Sequence, residues 1–153
     1  MNIFTLELLV RLITSFICSI AFAVIFRAAT RHLIHAGISG VVVYFVYHVV
    51  VAIGWGVFAA AFFSTAVGAI YAEVYARVKR APVTVILSAA IIPTVPGGDL
   101  YRTMRAILLS DSAAALKHLS DTMCIALGIG GGIVVVALVF RIISDRLKNR
   151  KAK

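Results

Sequence analysis

Of 153 positions, only 2 are cysteine, 3 are proline and 6 are acidic. Each scarcity removes a class of protein. Cys18 and Cys124 both lie inside apolar stretches, which argues against a disulfide framework or a metal site. The 6 acidic residues face 15 lysines and arginines, for a net charge of +9. Those basic residues sit between long apolar runs instead of covering a polar face, so the charge does not describe a nucleic-acid binder. No Ser/His/Asp set, HExxH, Walker-type loop or pair of catalytic carboxylates occurs. Enzyme chemistry therefore has no support, and neither a cofactor nor a metal is expected.

What is present is apolar. Hydrophobic residues make up 62% of the chain and the mean hydropathy is +1.05, well above the usual soluble composition. The pattern predicts an all-α integral membrane protein, a single membrane domain over 1–153 with about five transmembrane helices. Helix one, about 3–26, is apolar apart from Glu7 and Arg11, and at about 36 Å it crosses a ~30 Å hydrocarbon core. Those two residues stand four apart and can pair near the outer end of the helix. Their presence also argues against a cleaved signal peptide.

Residues 36–72 contain no Asp, Glu, Lys or Arg, and one helix of that length would span roughly 55 Å, so two helices must share it. Gly54-Trp55-Gly56 is the expected reversal, giving helices at about 37–53 and 55–80. Arg27, Arg31, His32 and His35 then form a polar link, with the histidines read as interfacial and not as metal ligands. His48 lies inside the second helix, as a proton relay or as a packing residue. Ala52, Gly56, Ala60, Ser64, Gly68, Ala72 and Ala76 recur every fourth position. Such a stripe winds around its helix and implies more than one close neighbour.

The fourth helix, about 82–95, is broken by Pro93-Thr-Val-Pro96-Gly97-Gly98. Starting at Pro82 it climbs only about 20 Å before the break, so it stops inside the membrane. Broken backbone at that depth requires surrounding protein or a water-filled cavity, and so points to a translocation site; the alternative is a proline-terminated helix followed by an ordinary surface turn. Gly97 and Gly98 precede a helix start whose amides attract a carboxylate, with Arg102 and Arg105 as reinforcement. Asp99 reads as a cap for that helix, and Tyr101 either orients a ligand or anchors at the interface. Over 99–118 the chain is amphipathic, with Leu100, Tyr101, Met104, Ile107 and Leu108 on one face, and is expected at an interface. His118 falls in this interfacial segment. Helix five, about 122–140, carries Gly128 and Gly132 in GxxxG spacing and ends in a basic tail over 141–153.

Charge sets the direction. With the tail in the cytoplasm, five crossings put Arg27, Arg31, Arg77, Lys79 and Arg80 on the same side as Arg141, Arg146, Lys148, Arg150, Lys151 and Lys153, which is 11 of the 15 basic residues. The N-terminus is then outside. A re-entrant loop at the Pro-Gly segment would instead place the tail's cations outside.

Pro93-Thr-Val-Pro96-Gly97-Gly98-Asp-Leu-Tyr101 resembles the P-x-x-P-G-x-x-x-Y signature of the threonine/serine exporter family. The stretch from Ala72-Glu73 through Arg77, Lys79, Arg80, Ala81 and Pro82 resembles the basic link that precedes it. The likeness extends over nearly the whole chain. It is to the family's short subunit, and also to the small component of a two-component bacterial succinate exporter. It implies a bacterial inner-membrane protein, in an oligomer with a longer membrane subunit, exporting a small carboxylate-bearing metabolite with coupling to the proton gradient. Threonine, serine and dicarboxylates such as succinate fit that description. Pro93, Pro96, Gly97 and Tyr101 are the positions the resemblance carries over. Gly98, Arg102 and Arg105 complete the candidate substrate-binding or pathway set from the reading of the residues. The alternatives are a non-transporting assembly subunit and a small self-associating channel.

Overall fold

A computed structural model describes the backbone of residues 6–151 and the side chains of residues 6–146. The described residues form α1 (Leu6–Ile25), α2 (Thr30–Ile53), α3 (Gly56–Lys79), α4 (Val83–Ile91), a 3₁₀ turn (Ile92–Thr94), α5 (Gly97–Leu108) and α6 (Ser112–Lys151). The protein is an all-α multi-pass membrane protein. Four helices, α1, α2, α3 and α6, are long and apolar enough to cross a bilayer alone. Residues 3–5 of the expected first helix, and the side chains of Lys148, Arg150, Lys151 and Lys153, lie outside the described residues.

Two boundaries differ from expectation. α2 begins at Thr30, so Arg31, His32 and His35 belong to its first turns and not to a link. His32 is buried there, with its Nδ1 2.8 Å from the Tyr75 hydroxyl of α3. His35 Nδ1 lies 3.3 Å from the Tyr71 hydroxyl. These tyrosines let a polar turn enter the bundle, since buried polar groups need partners. The expected amphipathic run over 99–118 is likewise divided. α5 ends at Leu108, and Ser112 starts a helix of 40 residues that runs unbroken into the basic tail.

Small residues set the packing. Gly54, at φ 93°, caps α2 in the left-handed region and Gly56, at φ 75°, opens α3, a reversal that L side chains resist. Ala60, Ser64, Gly68, Ala72 and Ala76 of α3 are buried. The stripe is divided among neighbours: α3 packs against α2, α4 and α6. Gly128 and Gly132 of α6 press on α3, where an added Cβ would stand 2.7 Å from the Phe58 and Phe62 carbonyl oxygens respectively. Such close approach is the use of GxxxG spacing in a membrane, where dispersion contacts replace the hydrophobic effect.

These contacts also give direction. Gly128 meets Phe58, Gly132 meets Phe62, and farther along Arg77 lies over the Phe140 ring at 5.0 Å. α3 and α6 therefore run parallel. The chain between them must pass from the basic end of the bundle back to the other end, so Val83–Thr94 and Gly97–Leu108, bent by 46°, make one broken crossing and not a re-entrant loop.

Candidate functional site

α4 is held on three sides, by α1, α2 and α3, and Ile86, Ala89 and Ala90 are buried in that groove. Pro93 cannot supply an amide to continue the ladder, and the backbone tightens into the 3₁₀ turn, where Thr94 Oγ1 donates to Ile91 O at 2.8 Å. Val95 is extended, and Pro96 stands at the head of α5 with no side-chain cap. α5 leaves the groove and packs on α6.

The break borders a cavity of about 360 Å³ lined by Arg11, Thr14, Ser15 and Cys18 of α1, Tyr44 of α2, and Ile92 and Pro93. Arg11 donates from Nη1 to the Tyr44 hydroxyl at 3.3 Å and from Nη2 to Glu7 Oε1. The helices agree on depth. At 1.5 Å per residue, Arg11 lies about 21 Å from the Ile25 end of α1 and Tyr44 about 21 Å from the Thr30 start of α2. Pro93 lies about 16 Å from the Val83 start of α4, once two residues of 3₁₀ rise are counted. Ile25, Thr30 and Val83 share the basic end of the bundle, where Arg27, Arg31 and Arg80 line one cavity of about 240 Å³. The Pro93 cavity is thus well inside a ~30 Å core.

The seven residues singled out in the sequence do not gather at one point. Pro93 lines the cavity beside Arg11. Pro96 is half-buried at the bend, while Gly97 and Gly98 are exposed and a Cβ on either would meet nothing within 4 Å. Tyr101 is 67% exposed. Arg102 and Arg105 line a second cavity of about 360 Å³ between α5 and α6, with Asp111 and His118. Asp99 is not a cap, because α5 already begins at Gly97. Its Oδ1 accepts from Arg102 Nη1 at 3.2 Å and lies 3.4 Å from His118 Nδ1, so Arg102 is partly neutralised within its own helix. His48 is half-buried in α2.

Sequence reasoning missed Arg11 and Tyr44 as neighbours of the break. The available signal was an arginine inside the first apolar run; a charged residue at membrane depth marks function by default.

A bundle of apolar helices with one crossing broken beside a mainly apolar cavity that carries Arg11 and Tyr44 defines a class of polytopic membrane proteins built around discontinuous helices. The family described as Threonine/Serine exporter, ThrE matches residues 11–139, and the chain belongs to that family of membrane exporters. No individually curated protein and no solved structure matches the chain.

Proposed function

We propose that this chain is one subunit of a heteromeric exporter of small carboxylate-bearing metabolites. In this reading threonine or serine is the cargo, with dicarboxylates such as succinate as the second class, and a longer membrane subunit completes the pathway. The basic end faces the cytoplasm of a bacterial inner membrane and the N-terminus lies outside. Pro93, Pro96, Gly97, Gly98, Tyr101, Arg102 and Arg105 line or flank the route. The observation that carries the reading is the broken crossing, which opens beside a cavity in a chain of the exporter family. Irregular backbone at that depth needs a protein or water lining.

Export of labelled threonine, serine and succinate from preloaded cells tests it, with the chain expressed alone and with a candidate longer subunit. Efflux that needs both proteins and falls with Pro96→Ala supports the proposal. Unchanged efflux in that variant, with assembly intact, removes the break from the route. A second reading, a non-transporting assembly subunit, draws on the exposed apolar face of α5, where Met104, Ile107 and Leu108 are 61%, 63% and 84% exposed. It requires that substitutions on that face abolish export through loss of the complex while substitutions at the break do not.

A further inference from the structure

We infer that Arg11 is the anchor for the substrate's carboxylate and that Glu7 is its exchangeable counter-ion. The inference rests on the exporter reading and adds to it a binding site at named residues. An arginine at this depth is costly unless paired, and such residues face interior or water-filled space; the Arg11 and Glu7 side chains are 55% and 70% exposed on this chain, so both are open to an entering ligand. Arg11 is paired twice, to a carboxylate one turn away and to a hydroxyl on another helix. An interfacial ion pair would need neither the Tyr44 hydroxyl nor a cavity beside broken backbone.

The donors and acceptors have a direction. A guanidinium carries five N–H donors in a planar fork suited to a bidentate carboxylate, and single contacts to Glu7 and Tyr44 leave part of that fork unused. Thr14 Oγ1 already donates to Val10 O and Ser15 Oγ to Arg11 O, each at 2.8 Å. Both hydroxyls therefore offer the cavity only oxygen lone pairs, which accept from an ammonium or a hydroxyl. The cavity, about 360 Å³, falls in the size range of small-molecule sites. An entering α-amino acid presents a carboxylate to Arg11 and an ammonium to the acceptors. Glu7, displaced from Arg11, becomes free to pair with that ammonium, and the site stays neutral throughout. A dicarboxylate leaves Glu7 uncompensated, so Glu7 is a determinant of selectivity.

Cys18 lines the same cavity and reports on it directly. The full chain in native membranes, carrying Cys124→Ser, is treated with anionic and cationic methanethiosulfonates of similar size. The rate of Cys18 modification is then measured. The anionic reagent is expected to react faster, and Arg11→Gln to lower the anion-to-cation rate ratio about tenfold, as loss of a nearby unit charge at low dielectric requires. Arg11→Lys, which keeps the charge, retains most of the ratio and controls for folding. Threonine slows modification in the parent but not in Arg11→Gln, and threoninol, lacking the carboxylate, gives no protection. Glu7→Gln shifts protection from threonine towards succinate. A ratio unchanged in Arg11→Gln, equal protection by threoninol, or a parent Cys18 that reacts with neither reagent overturns the inference. If it is overturned while the parent still exports threonine with its partner, only the subsite falls. If the ratio drops but no carboxylate protects and the parent exports nothing, the exporter reading falls with the substrate role.

Discussion

At the basic end, Ala23, Ala36, Ala72 and Ala89 have no exposed surface and surround Tyr75 and Ile86 in one core. Nearby, Gly37 lies under the Phe16 ring and Gly40 under Ser19 of α1. Each small residue there is matched by a neighbour from the same chain. The segment after Pro96 is the opposite. Gly97 and Gly98 face open space, and along the same helix Tyr101 and Leu108 are exposed. In the first region the small side chains are explained by packing, because interior contacts at near-crystalline density fix them. In the second, a Cβ would meet nothing among the described residues, which leaves Gly97 and Gly98 open to the longer subunit or the substrate of the proposed exporter.

The same substitution made at a packed glycine of the α3–α6 contact and at the open Gly97 tests this contrast. Gly128→Leu has the largest expected effect. Its Cβ would meet the Phe58 carbonyl at 2.7 Å and Ala61 Cβ at 2.9 Å, and backbone cannot yield without parting α3 from α6. A loss of about 3 kcal/mol or more is expected, at the upper end of overpacking costs. It would appear as a collapse of Tm in detergent and of the amount of folded protein in the membrane. Gly97→Leu should leave Tm unchanged or raise it slightly, since a helix favours leucine over glycine by under about 1 kcal/mol. Export should nevertheless fall about tenfold, a rise of about 1.4 kcal/mol in the transport barrier. A matching drop in Tm would break the comparison by showing that Gly97 is a packing residue after all. Asp99→Asn sits below both. It weakens contacts to Arg102 and His118 whose side chains are 62% and 26% exposed, and exposed pairs contribute about 0–1 kcal/mol. A small Tm change with unaltered export is the expected result.

Much of the fold was legible because membrane crossings depend on local properties. Charge-free length, the glycines around Trp55 and the clustered cations sufficed for the crossings and the position of the break. The start of α2 was not legible, because Arg31, His32 and His35 look like a link until Tyr71 and Tyr75, distant in sequence, are brought across from α3. The start of α6 was hidden for a related reason. Ser112 to Asp121 is too polar to read as a crossing, yet it continues the helix and supplies the surface on which α5 packs. The Pro93 cavity joins α1, α2 and the break, and only the paired charges Glu7 and Arg11 marked it in advance. Polar pairing between separate helices is a tertiary property with no local period, and periodicity is what a sequence reading measures.

The smallest effect expected is a gain. Arg80 terminates α3 at φ 51° and Arg27 follows α1 at φ 55°, both in the left-handed conformation where glycine is the usual residue. Holding an L side chain there costs about 1 kcal/mol. Both arginines line the same cavity as Arg31 and His32 at the basic end, so two strained positions carry cations where glycine would relieve the backbone. Arg80→Gly should raise the stability of the isolated chain by up to about 1 kcal/mol, read as a rise of a few degrees in Tm. Topology should hold, because the remaining cations at that end still outnumber those at the other. A fall in Tm would mean that the Arg80 side chain contributes more contact than its backbone loses in strain. A rise accompanied by slower export would show that the basic end, although packed for stability, also keeps charge for the substrate's sake, and the contrast between the two regions would then be one of degree.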